Sequence, residues 1–520
     1  MDISKMTLEE RIGQLFIVTL DGPVLTDEYK EHFLRHKIGN FIYFASNLTD
    51  YQSIRRLSDS LQQTVKESCG IPAFISVDQE GGMVTRAYSG ATHFPSNMAL
   101  TAAQAAAQMP IVGQMVGKEL RALGMNLNHA PILDVNNNSA NPIIGIRSYA
   151  DNSAMVSEMG CGYILGLQKS KVMANAKHFP GHGDTHIDSH LALPSIDHNL
   201  QRLEEIELAP FKAAIAGGVD SIMSAHIIFK AIDSELPATL SYKILTGLLR
   251  ETMGFEGLII TDSMSMDAIK DYYTMEKGCV MAINAGADLL CLCALVDTQR
   301  KCYEAVLAAA KSGEIPMSRI NDAVERIIKY KEKYELSSYI EEPSQIYPEH
   351  EKMSDDLSEK SVTLVKGNTS LLPIVGKKLF IISPPPYRAN IADDTIIVQQ
   401  TFCKRASEIL GQPYAEISVS PAQDEIESII KKTNSYETVL YATYNAMFNP
   451  GQVQLFKALK QAGKKVILVT LRVPYDYLKM QEADVFIASY EYTNRATNNT
   501  IKALLGEIDF MGVLPVSNLC

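Results

Sequence analysis

Tryptophan is absent from the 520 residues and aromatic side chains make up only 8%, so no platform of indole rings is available for stacking an extended ligand. No window offers about 18 uninterrupted apolar residues, so no membrane-spanning helix and no membrane partner are expected. The opening stretch from Met1 to Arg11 also lacks the apolar core of an export signal. A soluble, cytoplasmic chain is therefore expected, secreted only if Met1 stands where a leader has been removed. The eight cysteines form no CxxC pair and are too sparse for a disulfide framework, so they read as small buried hydrophobes in a reducing compartment. Positive charge is in deficit, with 48 Lys and Arg against 60 Asp and Glu and a net charge of -12. That balance disfavours a partner made of phosphate backbone, so no nucleic acid is expected to bind. No GxGxxG or GxxxxGK[ST] segment opens a helix in the C-terminal third, which leaves nucleotide binding without support there.

What is present is length and a repeated pattern. A chain of 520 residues with 46% hydrophobic composition exceeds one ordinary domain. Short runs rich in Val, Ile and Phe alternate with amphipathic stretches of helical length, the mark of βα units around a parallel sheet. Eight such runs precede residue 300: Gln14 to Leu20, Ile38 to Phe44, Ala73 to Asp78, Met125 to Asp134, Val172 to His178, Ser221 to His226, Gly257 to Asp262 and Ala287 to Leu292. Helices are expected between them, for example Ala102 to Leu123, Leu203 to Ala216 and Thr274 to Ala285. Eight units predict a (β/α)8 TIM-like barrel, with an open doubly wound sheet as the rival. Periodicity fades and Pro343, Pro348, Ser and acidic residues gather after Tyr334, which reads as a linker. The expected division is a catalytic barrel over 1–336, a linker over 337–358 and a smaller αβα sandwich over 359–520. Candidate strands in the last part are Lys378 to Ile382, Thr395 to Val398, Thr438 to Ala442, Lys465 to Leu471 and Asp484 to Ser489.

Polar residues cluster where the first eight runs end: Asp78-Gln79-Glu80-Gly81-Gly82, Asp134, Lys177-His178, His226 and Asp262. In a (β/α)8 barrel those ends form the active-site face. The densest cluster is Lys177-His178-Phe179-Pro180-Gly181-His182-Gly183-Asp184-Thr185-His186-Ile187-Asp188-Ser189-His190, which holds four of the chain's eleven histidines. Spacing by four would stack them on one helical face and suggest a metal site. Pro180, Gly181 and Gly183 argue instead for a loop, where that spacing loses its geometric meaning. A metal-dependent hydrolase built on this loop stays an alternative. In Asp188-Ser189-His190 a carboxylate two residues from an imidazole can hold its tautomer and stabilise its protonated form, the arrangement of a proton carrier near neutral pH. An Asp capping a neighbouring His in an ordinary turn would look the same. The run Leu258-Ile259-Ile260-Thr261-Asp262 delivers an aspartate to the same face. A carboxylate at one strand end and a proton donor at another suit a two-step retaining glycosidase.

Taken together, Lys177 to His190, Thr261-Asp262-Ser263-Met264-Ser265-Met266 and Val77-Asp78-Gln79-Glu80-Gly81-Gly82-Met83-Val84-Thr85-Arg86 resemble glycoside hydrolase family 3. Within it they are similar to the bacterial NagZ-type β-N-acetylglucosaminidases. The resemblance is strong over roughly residues 5 to 335, and Gly512-Val513-Leu514-Pro515-Val516-Ser517 is similar to the end of the family's second domain. It implies Asp262 as nucleophile, His190 as acid/base and Asp188 as its partner, with Asp78, Arg86, Arg147, Lys177 and His178 lining the sugar subsite. Arg147 lies in Gly145-Ile146-Arg147-Ser148-Tyr149, where the family more often ends on Phe. Other branches take a glutamate acid/base from outside the barrel, whereas the DSH element points to the N-acetylglucosamine branch. The resemblance thus implies hydrolysis of terminal β-linked N-acetylglucosamine, with no cofactor and no metal. The lack of tryptophan favours short glycans such as peptidoglycan turnover fragments. Because a neutral histidine base does not repel an anion, phosphorolysis to a sugar 1-phosphate is a second expectation within the same family.

Overall fold

The computed structural model describes residues 2–186, 188, 193–336, 347–367, 370–390, 392–394, 400–517 and 519. All eight expected runs form strands: β1 (Phe16–Val18), β2 (Asn40–Tyr43), β3 (Phe74–Val77), β4 (Leu127–Asn128), β5 (Met173–Phe179), β6 (Ser221–Ser224), β7 (Leu258–Thr261) and β8 (Leu290–Leu292). They lie parallel in the order β7-β6-β5-β4-β3-β2-β1-β8. The two edges meet through a bridge between Ile260 and Leu289, where Thr261 N donates to Leu289 O at 2.9 Å. The sheet is therefore a nearly closed barrel, and the open doubly wound alternative falls. Buried on both faces, these strands need continuous apolar runs, which is why they were legible.

Helices ring the barrel, and local chemistry sets their ends. Tyr51–Cys69 starts at Asp50, whose side chain accepts from Ser53 N, and stops at Gly70 with φ of 71°. The helices Met109–Ala122 and Ser153–Lys169 touch backbone to backbone, because a Cβ on Gly166 would stand 2.0 Å from Pro110 O. Two expected helices are broken in the structure. The stretch read as 102–123 ends one helix at Ala102 and begins another at Met109, and that read as 203–216 is split into Leu200–Glu205 and Ala209–Ala216. Pro110 and Pro210 open the second segments, since proline has no N–H to continue a preceding turn but fits a first turn.

The second sheet contains β9 (Thr363–Lys366), β10 (Leu379–Ser383), β11 (Tyr414–Glu416), β12 (Thr438–Thr443), β13 (Lys465–Thr470) and β14 (Val485–Ala488), in the order β9-β14-β13-β12-β10-β11. Only β9 runs antiparallel to its neighbour. Successive side chains of β12 alternate between two cores, Val439 and Tyr441 on one side and Leu440 and Ala442 on the other, which makes this a sandwich with helices on both faces. The expected strand Thr395 to Val398 lies outside the described residues, and the edge strands β9 and β11 were not anticipated. Within the segment read as a linker, Pro348–Ser361 is a helix with Pro348 in its first turn. Its His350 Nδ1 lies 2.6 Å from Glu119 Oε1 on a barrel helix. The barrel residues Met83, Met98, Ala99, Ala102 and Ile146 share one apolar core with the second sheet. Among the described residues no helix is long and apolar enough to cross a membrane.

Candidate active site

A cavity of about 480 Å3 opens at the carboxyl ends of the barrel strands. Asp78 directly follows strand β3, and the chain then folds back as a short hairpin, Gln79–Gly81 against Val84–Thr85. Gly81 takes φ of 101° there, and a Cβ on it would meet Pro95 O at 2.7 Å, so the tight return demands glycine. The hairpin swings Glu80 and Arg86 into the cavity beside Asp78.

Lys177, from β5, is buried and bridges two carboxylates, with Nζ 2.6 Å from Asp78 Oδ1 and 2.7 Å from Glu80 Oε1. Arg147 grips Glu80 with both arms, Nε to Oε2 and Nη2 to Oε1 at 2.9 Å each. Burial alone would raise the two carboxyl pKa values, but the cations outweigh it. Lys177, His129 and Arg86 hold Asp78 well below the carboxylate range, and Arg147 with Lys177 pull Glu80 down to about 2. Against their own burial, Lys177 and Arg147 are held above their ordinary values by the same carboxylates. All four groups are thus charged across the working pH range and oriented in advance, a set of paired donors and acceptors suited to sugar hydroxyls.

His178 also lines the cavity, with Nδ1 2.7 Å from Asp134 Oδ2. The other oxygen of Asp134 accepts from the backbone N–H groups of His178 at 3.1 Å and His182 at 2.7 Å. Although burial opposes it, the interaction and hydrogen bond with His178 keep the Asp134 carboxyl below its ordinary value. Asp262, immediately past β7, lines the same cavity and accepts from Ser263 N at 2.7 Å through Oδ1.

The structure therefore brings together six expected site residues: Asp262, Asp78, Arg86, Arg147, Lys177 and His178. Asp188 is buried in the loop beyond β5, while His190 lies outside the described residues. The even spacing of the histidines has no helical meaning: His182 is buried, with burial lowering its pKa to about 4, whereas His186 is exposed next to Asn138. Among the described residues no group of three or more His, Cys, Asp or Glu could hold a metal ion.

Several cavity residues were not assigned from sequence. Glu80, and Asp134, which pairs with the lining His178, stood in the strand-end clusters, and their position was the available signal. His129, Cys291 and Cys293 follow the same rule on β4 and β8. Arg388, Ala392, Asp393 and Asp394 come from the second domain, and no motif marks them. Asp394 forms an ion pair with Arg86 and accepts from Thr85 N at 2.6 Å. Its neighbour Asp393, fully buried, is paired with Arg472 at the end of β13. Asn390 holds this loop in shape by accepting from Ala392 N and Asp393 N at 3.0 Å, and it donates to Pro142 O at 3.3 Å.

Comparison with known proteins agrees with this geometry. The model of the glycosyl hydrolase family 3 N-terminal domain matches residues 7–330. Beta-hexosaminidase A of Pseudoalteromonas piscicida is 30% identical over 557 residues, covering 95% of this chain and 91% of that protein. A beta-N-acetylglucosaminidase/beta-glucosidase of Cellulomonas fimi is 28% identical, covering 72% of this chain and 67% of that protein. A solved glycoside hydrolase family 3 beta-N-acetylglucosaminidase from Paenibacillus sp. FPU-7 superimposes with a TM-score of 0.93 at 36% identity, over 98% of this chain and 99% of that one.

Proposed function

Because this chain belongs to glycosyl hydrolase family 3 and is a glycoside hydrolase, we propose that it removes terminal β-linked N-acetylglucosamine from short glycans by a two-step retaining mechanism. The observation that carries this reading is the convergence of Asp262 with Asp78, Arg86, Arg147, Lys177 and His178 on one cavity at the carboxyl ends of the barrel strands. The names of the related proteins point the same way.

In this mechanism Asp262 attacks C1 of the sugar while the bond from C1 to the leaving oxygen breaks. Protonated His190, with Asp188 stabilising its charge, gives that oxygen its proton. Neutral His190 then takes a proton from water as the water displaces Asp262 from C1, so the anomeric configuration is kept. Asp78, Glu80, Lys177 and Arg147 hold the sugar hydroxyls through the paired network, and their charges are neutralised within it. No cofactor takes part. A cavity of about 480 Å3 suits one sugar ring and part of its neighbour, which fits short substrates such as peptidoglycan turnover fragments.

The test is turnover of an aryl N-acetylglucosaminide. Asp262→Ala should abolish it with folding intact, and near-normal activity would remove Asp262 from the mechanism. Asp188→Ala should lose rate on the order of 10²-fold or more and change the pH–rate profile, as expected for a residue supporting a general acid/base. An unchanged profile would dismiss the dyad.

A further inference from the structure

One pair of groups in the cavity wall has no part in sugar chemistry. Cys291, in β8, and Cys293, just past its end, both line the cavity, because residues two apart on a strand face the same way. Their sulphurs stand 3.7 Å apart, with Cys291 buried and Cys293 partly exposed. The lining otherwise offers mainly oxygen and nitrogen groups, which bind hydroxyls well. Thiols are weak hydrogen-bond partners for a sugar, but two of them side by side suit a soft, thiophilic centre.

We propose that Cys291 and Cys293 form a dithiol modification site that captures trivalent arsenic compounds as a two-point ligand and thereby blocks the catalytic cavity. A bridging atom fits this spacing better than a direct bond. Extended residues two apart have Cα atoms about 6.6 Å from each other, at the long edge of what a disulfide tolerates. With phenylarsine oxide both S–H bonds break, two As–S bonds form, and the oxide oxygen leaves as water carrying both protons, with no change in oxidation state. The hydrogen bond shared with Cys293, burial and the nearby carboxylates of Asp262 and Asp78 raise the pKa of Cys291 well above the ordinary thiol value, so simple thiolate alkylation is disfavoured there. The arsenical supplies its own proton acceptor.

The sulphur chemistry stands apart from the proposed sugar substrate, while the loss of activity rests on that reading. Phenylarsine oxide is added to the full chain, the adduct is mapped by mass spectrometry, and turnover of an aryl N-acetylglucosaminide is followed. One arsenical should span residues 291 and 293, activity should fall in step, a small dithiol but not a monothiol should restore it, and N-acetylglucosamine should protect. Cys291→Ser and Cys293→Ser, each compared with its own untreated rate, should need on the order of 10²-fold more reagent, since capture by one thiol loses the effective concentration of the second. The variant at the partly exposed position, Cys293→Ser, serves if the buried variant does not fold. Mapping to the buried helix pair Cys279 and Cys302, unaltered sensitivity in a folded variant, or a spanning adduct with full activity would each overturn the proposal. If the untreated enzyme lacks N-acetylglucosaminidase activity, the functional reading fails, while the mapping still decides the sulphur site.

Discussion

Asp394→Ala tests whether the second domain positions a residue of the catalytic cavity. The side chains of Arg86 and Asp394 are 9% and 15% exposed, so solvent screens their contact weakly. Breaking a buried pair by removing one partner costs about 3–5 kcal/mol when the remaining charge is stranded. Arg86 is not stranded, because Asp78 and Glu80 also hold its charge. What it loses is direction: the guanidinium is free to turn toward those two carboxylates and disturb the network around Lys177. A charge-assisted hydrogen bond of this kind is worth about 2 kcal/mol, equivalent to about 30-fold in kcat/KM. If Arg86 holds the sugar equally in ground and transition states, the loss falls on KM and kcat stays close to the parent value. Steady-state kinetics on an aryl N-acetylglucosaminide measures both, and thermal unfolding checks that the variant is folded. Asp394 meets the cavity through Arg86 and otherwise only accepts from Thr85 N, so adding Asp394→Ala to Arg86→Ala should cost much less than it does in the parent. A loss below about twofold in the single variant, or full additivity in the double variant, refutes the reasoning.

Two further outcomes follow from the buried charges. Glu80 ionises at about 2 in the fold against an ordinary 4.5, so its contribution is present above pH 4.5 and is lost as pH falls through 2; the difference is worth about 3 kcal/mol. Glu80→Gln should show lower stability at neutral pH and a shallower acid decline in denaturant unfolding, and a variant as stable as the parent would count against the network. Lys331 is buried at the opposite end of the barrel, 2.7 Å from Gln14 Oε1 and without a carboxylate partner among the described residues, and burial lowers its pKa from 10.5 to about 7. The folded chain releases this proton before the unfolded chain does, so stability should rise between pH 7 and 10.5, by up to about 5 kcal/mol. Lys331→Met should flatten that rise, and an unchanged slope would show that Lys331 does not produce it.

The difference between what was legible and what was not is one of range. Strands β1 to β8 could be read because each must be apolar along its own length, and Asp78, Lys177, His178 and Asp262 could be read because each sits where such a run stops. The helix breaks at Pro110 and Pro210 were written locally as well, and reading periodicity ahead of proline chemistry missed them. Short edge strands such as Tyr414–Glu416 carry too few residues for a pattern. The partnership of Arg86 with Asp394 is of another kind, because 308 positions separate the two and neither neighbourhood announces the other. Lys331 is similar: on an otherwise ordinary amphipathic helix, only the packed barrel base reveals that this lysine is buried, with Gln14 as its partner. Second-domain contributions to the cavity therefore follow from how Arg472 anchors Asp393 and how Asn390 reaches Pro142, five residues before Arg147. These contacts fix the loop at its root and against the segment that carries Arg147, which lines the cavity. Any shift of the second domain against the barrel would move Arg86 and Arg147 together, which ties the shape of the cavity to the docking of the two sheets.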